Sequence, residues 1–127
     1  MQNFKLTYLI DDDQIFVFVL KKLLQKSQRF DNVETIINGL EAIEILKSAY
    51  DSPEGLPDII FLDLNMPVLD GWQFLDEVEK LPFKDQLKIY IISSSIDSKE
   101  IEKAKEYKSV KSFVSKPVNL EWLLNIK

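Results

Sequence analysis

Hydrophobic positions along the chain alternate between two periods. Short, nearly unbroken apolar runs occupy residues 4–10, which end in Tyr8-Leu9-Ile10, and residues 33–37, 58–62, 89–92 and 111–115. Such runs predict strands buried on both faces. Between them apolar residues recur at helical spacing. Residues 14–27 place Phe16, Val19, Leu20, Leu23 and Leu24 on one predicted sheet-facing stripe. Asn38, with Glu41 three residues on, predicts an N-cap for a helix through Ala42, Ile45 and Leu46. Further helices are predicted over 72–80, from Asp97 and Glu100 to about Tyr107, and over 119–126. Pro53, Gly55 and Pro57 mark one loop, Pro67 and Gly71 a second, and the polar stretch 93–98 a third.

Five strands in strict alternation with five helices predict a parallel sheet covered on both faces. Right-handed crossovers leave few topologies at this length. The expected fold is a flavodoxin-like (βα)5 three-layer sandwich with strand order 2-1-3-4-5. Ligands then belong at the carboxyl ends of the central strands. No repeat or low-complexity tract interrupts the pattern, so one domain is expected over 1–127.

Composition narrows the chemistry. The chain has 127 residues, no cysteine and no histidine. Thiolate metal sites, thiol redox chemistry, histidine triads and phosphohistidine are excluded. A net charge of −5 argues against a broad basic surface for nucleic acid. No apolar run approaches the roughly 20 residues of a membrane span, and residues 1–9 lack a signal-peptide core. A cytoplasmic protein that acts through Asp, Glu, Lys, Ser, Thr or backbone groups is expected.

Those groups gather at the predicted strand ends. The first strand ends in Asp11-Asp12-Asp13, the third in Asp63, the fourth in Ser93-Ser94-Ser95 and the fifth in Lys116-Pro117. Order 2-1-3-4-5 brings these four ends to one sheet edge. Two carboxylates about 4 Å apart repel by roughly 4 kcal/mol at an effective dielectric of 20. Lys116 supplies one compensating charge, and a hard cation such as Mg²⁺ can supply more while leaving room for a phosphoryl group. A carboxylate can itself be the nucleophile. Each feature also has a plainer reading. An acidic triplet suits a helix N-terminus, a serine run a solvated loop, and Lys-Pro a strand exit.

The segments LIDDD (9–13), DIIFLDLNMPVLDGWQFL (58–75), IYIISSS (89–95) and FVSKP (113–117) together resemble the CheY-like receiver domains of response regulators, over essentially the whole chain. The resemblance implies roles. Asp63 would be the phosphoacceptor. Asp12 would bind Mg²⁺ directly, Asp11 mainly through water, and Asn65 through its backbone carbonyl. Lys116 would contact the phosphoryl group, with a cis bond to Pro117. Ser93 would be the switch hydroxyl and Phe113 the switch aromatic. The donor would be a histidine kinase or histidine phosphotransfer protein, and the output an unknown protein. A stand-alone domain, monomeric or weakly dimeric, is expected, with no catalysis beyond its own phosphotransfer and dephosphorylation. A histidine-free chain can accept a phosphoryl group from histidine but cannot pass it on through one.

Two departures from the family pattern stand out. Ser93 and Lys116 are one residue further apart than expected, which implies either an insertion near residues 108–110 or a functional Ser94. Ser93 is preferred because it directly follows the apolar strand. Only ten residues follow Pro117, so the last helix should be short. On the first helix, Ile15 and Phe18 fall outside the predicted sheet-facing stripe, beside Lys22. They are expected to form a docking patch for the phosphodonor, with shielding by a neighbouring helix as the alternative. A Mg²⁺-dependent phosphatase with an aspartyl nucleophile would want a second acid two residues after Asp63, where Asn65 stands. A flavin phosphate would be repelled by the three aspartates.

Overall fold

Every predicted apolar run becomes a strand, and all five strands run parallel. The computed structural model describes residues 3–94 and 97–127. Strands β1 (Phe4–Ile10), β2 (Phe30–Ile36), β3 (Ile59–Leu62), β4 (Ile89–Ser93) and β5 (Val110–Ser115) form one sheet in the order β2-β1-β3-β4-β5. They alternate with α1 (Gln14–Ser27), α2 (Gly39–Tyr50), α3 (Gly71–Glu79), α4 (Ser98–Ala104) and α5 (Leu120–Asn125). This is the expected flavodoxin-like topology. Ser95, the last residue of the serine triplet, lies outside the described residues.

Side-chain alternation splits the sheet between two cores. Tyr8, Ile10, Ile60, Leu62 and Ile91 pack with Leu46, Phe74 and Val78 of α2 and α3 and Ala104 of α4. Leu9, Phe61, Tyr90 and Ile92 pack with Leu20 and Leu24 of α1 and Leu123 of α5. Trp122 joins the second core, with ring centroids 6.1 Å from Phe61 and 5.7 Å from Tyr90.

Among the described residues, side chains cap all five α-helix starts. Asp13, Asn38, Asp70, Asp97 and Asn119 each accept a backbone N–H from the first turn. Asp70 and Gln73 complete a reciprocal capping box. Each such cap contributes about 1 kcal/mol. The Asn38–Glu41 and Asp97–Glu100 signals therefore correspond to real helix starts.

Three expectations need correction. Strand β2 begins at Phe30, ahead of residue 33, because Phe30 stacks on Phe4 at 5.1 Å. The polar pair Asp31-Asn32 on this edge strand concealed its start. Helix α4 ends at Ala104 rather than near Tyr107, whose hydroxyl instead donates to Asp76 at 2.6 Å. On α1, Val19 does not face the sheet. The buried stripe runs through Leu20, Leu24 and Ser27, with Phe16, Val17 and Leu23 partly buried against the core, which leaves Val19 about half exposed.

The β4–β5 pairing contains a register shift. Ile89 pairs with Val110, yet Tyr90 pairs with Ser112, so Lys111 is accommodated as a bulge in β5. The register then continues regularly to Ser93 opposite Ser115. This bulge falls just beyond residues 108–110, where the Ser93–Lys116 spacing leads one to expect an insertion.

Candidate functional site

The carboxyl ends of β1, β3, β4 and β5 converge as the topology requires. Ile10 pairs with Leu62, and the Asp63 amide donates to the Ile10 carbonyl at 2.9 Å, which sets Asp11 beside Asp63. The Lys116 amide donates to the Ser93 carbonyl at 2.9 Å and holds the fifth strand end against the fourth. Carboxylate oxygens of Asp11, Asp12 and Asp63 lie within 4.8 Å of one another. Asp11 and Asp63 are buried, at 3% and 5% exposure, while Asp12 is open to solvent.

Lys116 reaches into this group. Its Nζ lies 3.0 Å from Asp11 Oδ2 and 3.8 Å from Asp63 Oδ1. At an effective dielectric of 20 each carboxylate pair repels by roughly 3 kcal/mol or more, and each ammonium–carboxylate contact returns roughly 4 to 6. One lysine therefore holds the trio together but leaves two negative charges uncompensated. Burial, then the neighbouring Asp11 charge, push the Asp63 carboxyl up to about 6, against the pull of Lys116 and the Asn65 amide. Burial also raises Asp11, opposed by the Asp13 amide and Lys116. This cluster of hard oxygen donors with excess negative charge fits a small divalent cation.

The third member of the acidic triplet serves the helix. Asp13 Oδ1 accepts the amides of Ile15 and Phe16, both at 3.1 Å, so the plainer reading of the triplet holds for this residue. Asp11 accepts the Asp13 amide at 2.9 Å, which ties the cap to the cluster.

The loop after Asp63 is tightly constrained. A Cβ on Gly71 would stand 2.6 Å from both the Asp63 carbonyl oxygen and Leu64 Cα. Only glycine lets α3 approach the segment that carries Asp63 so closely. Val68, at φ 70°, occupies the left-handed region, which costs a β-branched residue of the order of 1–2 kcal/mol.

The remaining predicted residues divide clearly. Ser93 is fully buried at the cluster edge, whereas Ser94 is exposed. Phe113 is half-buried, opposite Ile91 and two residues before Ser115. The Lys116–Pro117 bond is cis. Ile15 and Phe18 are 80% and 63% exposed, with Lys22 Nζ 5.4 Å from the Phe18 ring centroid. Val19 extends this exposed apolar face. Sequence reasoning placed Phe16 in the core but missed its contact with Lys116, whose Nζ lies 4.2 Å from the ring centroid. Its position in the first turn after the acidic loop was the available signal.

Fold and cluster together define a class: a parallel sandwich with a buried aspartate, two further acids and a lysine at one sheet edge. The response regulator receiver domain model matches residues 7–126, and the chain belongs to that family. Chemotaxis protein CheY of Listeria monocytogenes is 32% identical over 119 residues, covering 94% of this chain and 92% of that protein. A two component response regulator from Cytophaga hutchinsonii superposes with a TM-score of 0.90 at 30% identity, over 98% of this chain and 94% of that one. The phosphorylated cyanobacterial phytochrome response regulator RcpA gives a TM-score of 0.76 at 26% identity, over 96% and 86%. This is a CheY-like receiver domain of two-component signalling, a class of signalling domains rather than enzymes. Among the described residues no helix is long and apolar enough to cross a membrane.

Proposed function

We propose that this domain accepts a phosphoryl group on Asp63 from a phosphohistidine of a histidine kinase or phosphotransfer protein. The observation that carries the reading is the placement of the Lys116 ammonium 3.0 Å from Asp11 and 3.8 Å from Asp63 within a cluster of three carboxylates. In the transfer, a carboxylate oxygen of Asp63 forms a bond to phosphorus as the N–P bond of phosphohistidine breaks. The imidazole leaves with the bonding electron pair and takes a proton from solvent. Lys116 stabilises charge on the transferring oxygens. Asp11, Asp12, Asp63 and the Asn65 carbonyl would hold Mg²⁺, which supplies further positive charge against those oxygens. Water later cleaves the acyl phosphate, releases inorganic phosphate and resets the domain. The similar regulator RcpA is described in its phosphorylated form, which is consistent with this chemistry.

The signal would pass through Ser93 and Phe113. A hydrogen bond from the Ser93 hydroxyl to a phosphoryl oxygen would bias the neighbouring loop and Phe113 toward a second arrangement that an output protein reads. Burial and regular register at Ser93, against exposure at Ser94, favour the former for this role.

Incubation with a small phosphodonor and Mg²⁺ tests the chemistry. Intact mass should rise by one phosphoryl group, and Asp63→Asn should abolish the gain. Undiminished labelling of that variant would overturn the assignment. The exposed face of Ile15 and Phe18 is the proposed dock for the phosphodonor protein. Phe18→Asp should slow transfer from the cognate kinase about tenfold, a typical interface loss for one buried aromatic. Labelling by the small donor should persist, and equal loss of both would contradict the docking role.

A further inference from the structure

Lys116 has a third neighbour that the phosphotransfer reading does not use. Its side chain is only 14% exposed. Besides Asp11 and Asp63, the aromatic face of Phe16 meets the ammonium, 4.2 Å from Nζ to the ring centroid. That ring packs against the core beneath α1 and α5. The Asp13 side chain fixes the first turn of α1 by accepting the Phe16 amide at 3.1 Å. A cation over an aromatic face gains most when water is kept away, as it is here.

We propose that Phe16 is a positioning residue for Lys116, holding its ammonium at the mouth of the acidic cluster so that it can exchange Asp11 for the phosphoryl oxygens on Asp63. The inference rests on the phosphoacceptor reading of Asp63. The ammonium lies nearer Asp11 than Asp63 before transfer, and an oxygen partner competes with the incoming phosphoryl group. A ring face attracts the charge without offering such an oxygen. It also excludes water from one side of Nζ, which strengthens the remaining electrostatic contacts. Asp13 thereby acquires a share in the site, because its cap sets the ring and the ring sets the lysine.

A double-mutant cycle separates this role from simple packing. Labelling by a small phosphodonor with Mg²⁺ should slow about fivefold in Phe16→Leu, the size of an ordinary cation–π contribution. Phe16→Trp, which keeps an aromatic face, should recover the rate to within about twofold. In a Lys116→Ala background Phe16→Leu should cause no further slowing. The same factor in both backgrounds, or an unchanged rate in Phe16→Leu, overturns the proposal. An NMR measurement reads the placement independently of labelling. The Lys116 ε-methylene protons should be shifted upfield by the ring current, and the shift should vanish in Phe16→Leu while the rest of the spectrum stays folded. Unshifted protons in the natural sequence also overturn the proposal. Shifted protons in a protein that takes no label would show the ring in place, yet reject the phosphoacceptor reading and with it the positioning role.

Discussion

Asp58 and Asp63 stand at opposite ends of β3, one residue before it and one after, and their surroundings are opposite in kind. Asp58 Oδ2 accepts the Lys5 and Leu6 amides at 2.6 and 3.1 Å, so its charge is met by fixed backbone donors that tie the start of β1. Asp63 is buried against two more carboxylates and shares one lysine with Asp11. The first arrangement is complete without a ligand. The second carries an unfavourable energy that positive charge or an incoming group can relieve. Side chain and strand are the same in the two cases, so composition does not distinguish them. What differs is whether the groups facing the carboxylate are donors or more acids. A structural acid stabilises the fold, and a functional one is maintained at a cost to it.

The sharpest way to break this comparison is to neutralise each acid in turn. Asp63→Asn should abolish acyl-phosphate formation yet stabilise the metal-free protein. The raised carboxyl of Asp63, at about 6, means that the fold favours the uncharged form, and asparagine supplies an uncharged isostere. A shift of that size corresponds to about 2 to 3 kcal/mol at neutral pH. Urea denaturation in chelator should show the gain. A loss of stability would mean that the pair with Lys116 outweighs the crowding.

The same carboxyl gives the metal-free protein a pH signature. Between the ordinary carboxyl value near 4 and the folded value of about 6, the native state holds a proton that the unfolded chain has released. Unfolding free energy must therefore fall as pH rises across that window and level off above it. Asp11 is raised by burial too and acts in the same direction. The contribution from Asp63 is up to about 3 kcal/mol and should disappear in Asp63→Asn. Adding Mg²⁺ should flatten the fall, because cation binding favours the ionised carboxylates of the native state. Rising stability across the window would contradict the crowding described at Asp63.

Most of the architecture was legible because apolar period and capping chemistry agree. Tyr8 to Ile10, Ile59 to Leu62 and the Asn38 and Asp97 caps each carry a local signal that survives folding. The four strand ends at the site were legible for a further reason: parallel order alone brings Asp11, Asp63, Ser93 and Lys116 to one edge. Four features needed the third dimension. The start of β2 depends on Phe30 stacking with Phe4, a contact across 26 positions of sequence. The bulge at Lys111 depends on the β4–β5 register, which no local pattern encodes. On α1, Val17 and Val19 offer the same side chain on either side of the stripe, yet only Val17 packs against the core, a choice no local pattern encodes. The Phe16–Lys116 contact was hidden in the same way, since both residues were assigned roles separately.

The smallest expected effect lies at the quiet end of β3. Asp58 is exposed, and both of its amide partners lie near the amino-terminal end of β1, where water can replace a lost acceptor. Asp58→Ala should therefore cost only about 1.5 kcal/mol, the low end for hydrogen bonds to a charged group because water reaches this one. Labelling at Asp63 should continue, because β1 and β3 remain joined through the pairs from Thr7 with Ile59 to Ile10 with Leu62. The fall of stability between pH 4 and 6 should keep its slope, displaced to lower values as a whole. A change of slope in Asp58→Ala would show that the two ends of β3 are electrostatically coupled. In that case the division between a structural and a functional aspartate would not hold, because relieving or adding charge at one end would be felt at the other.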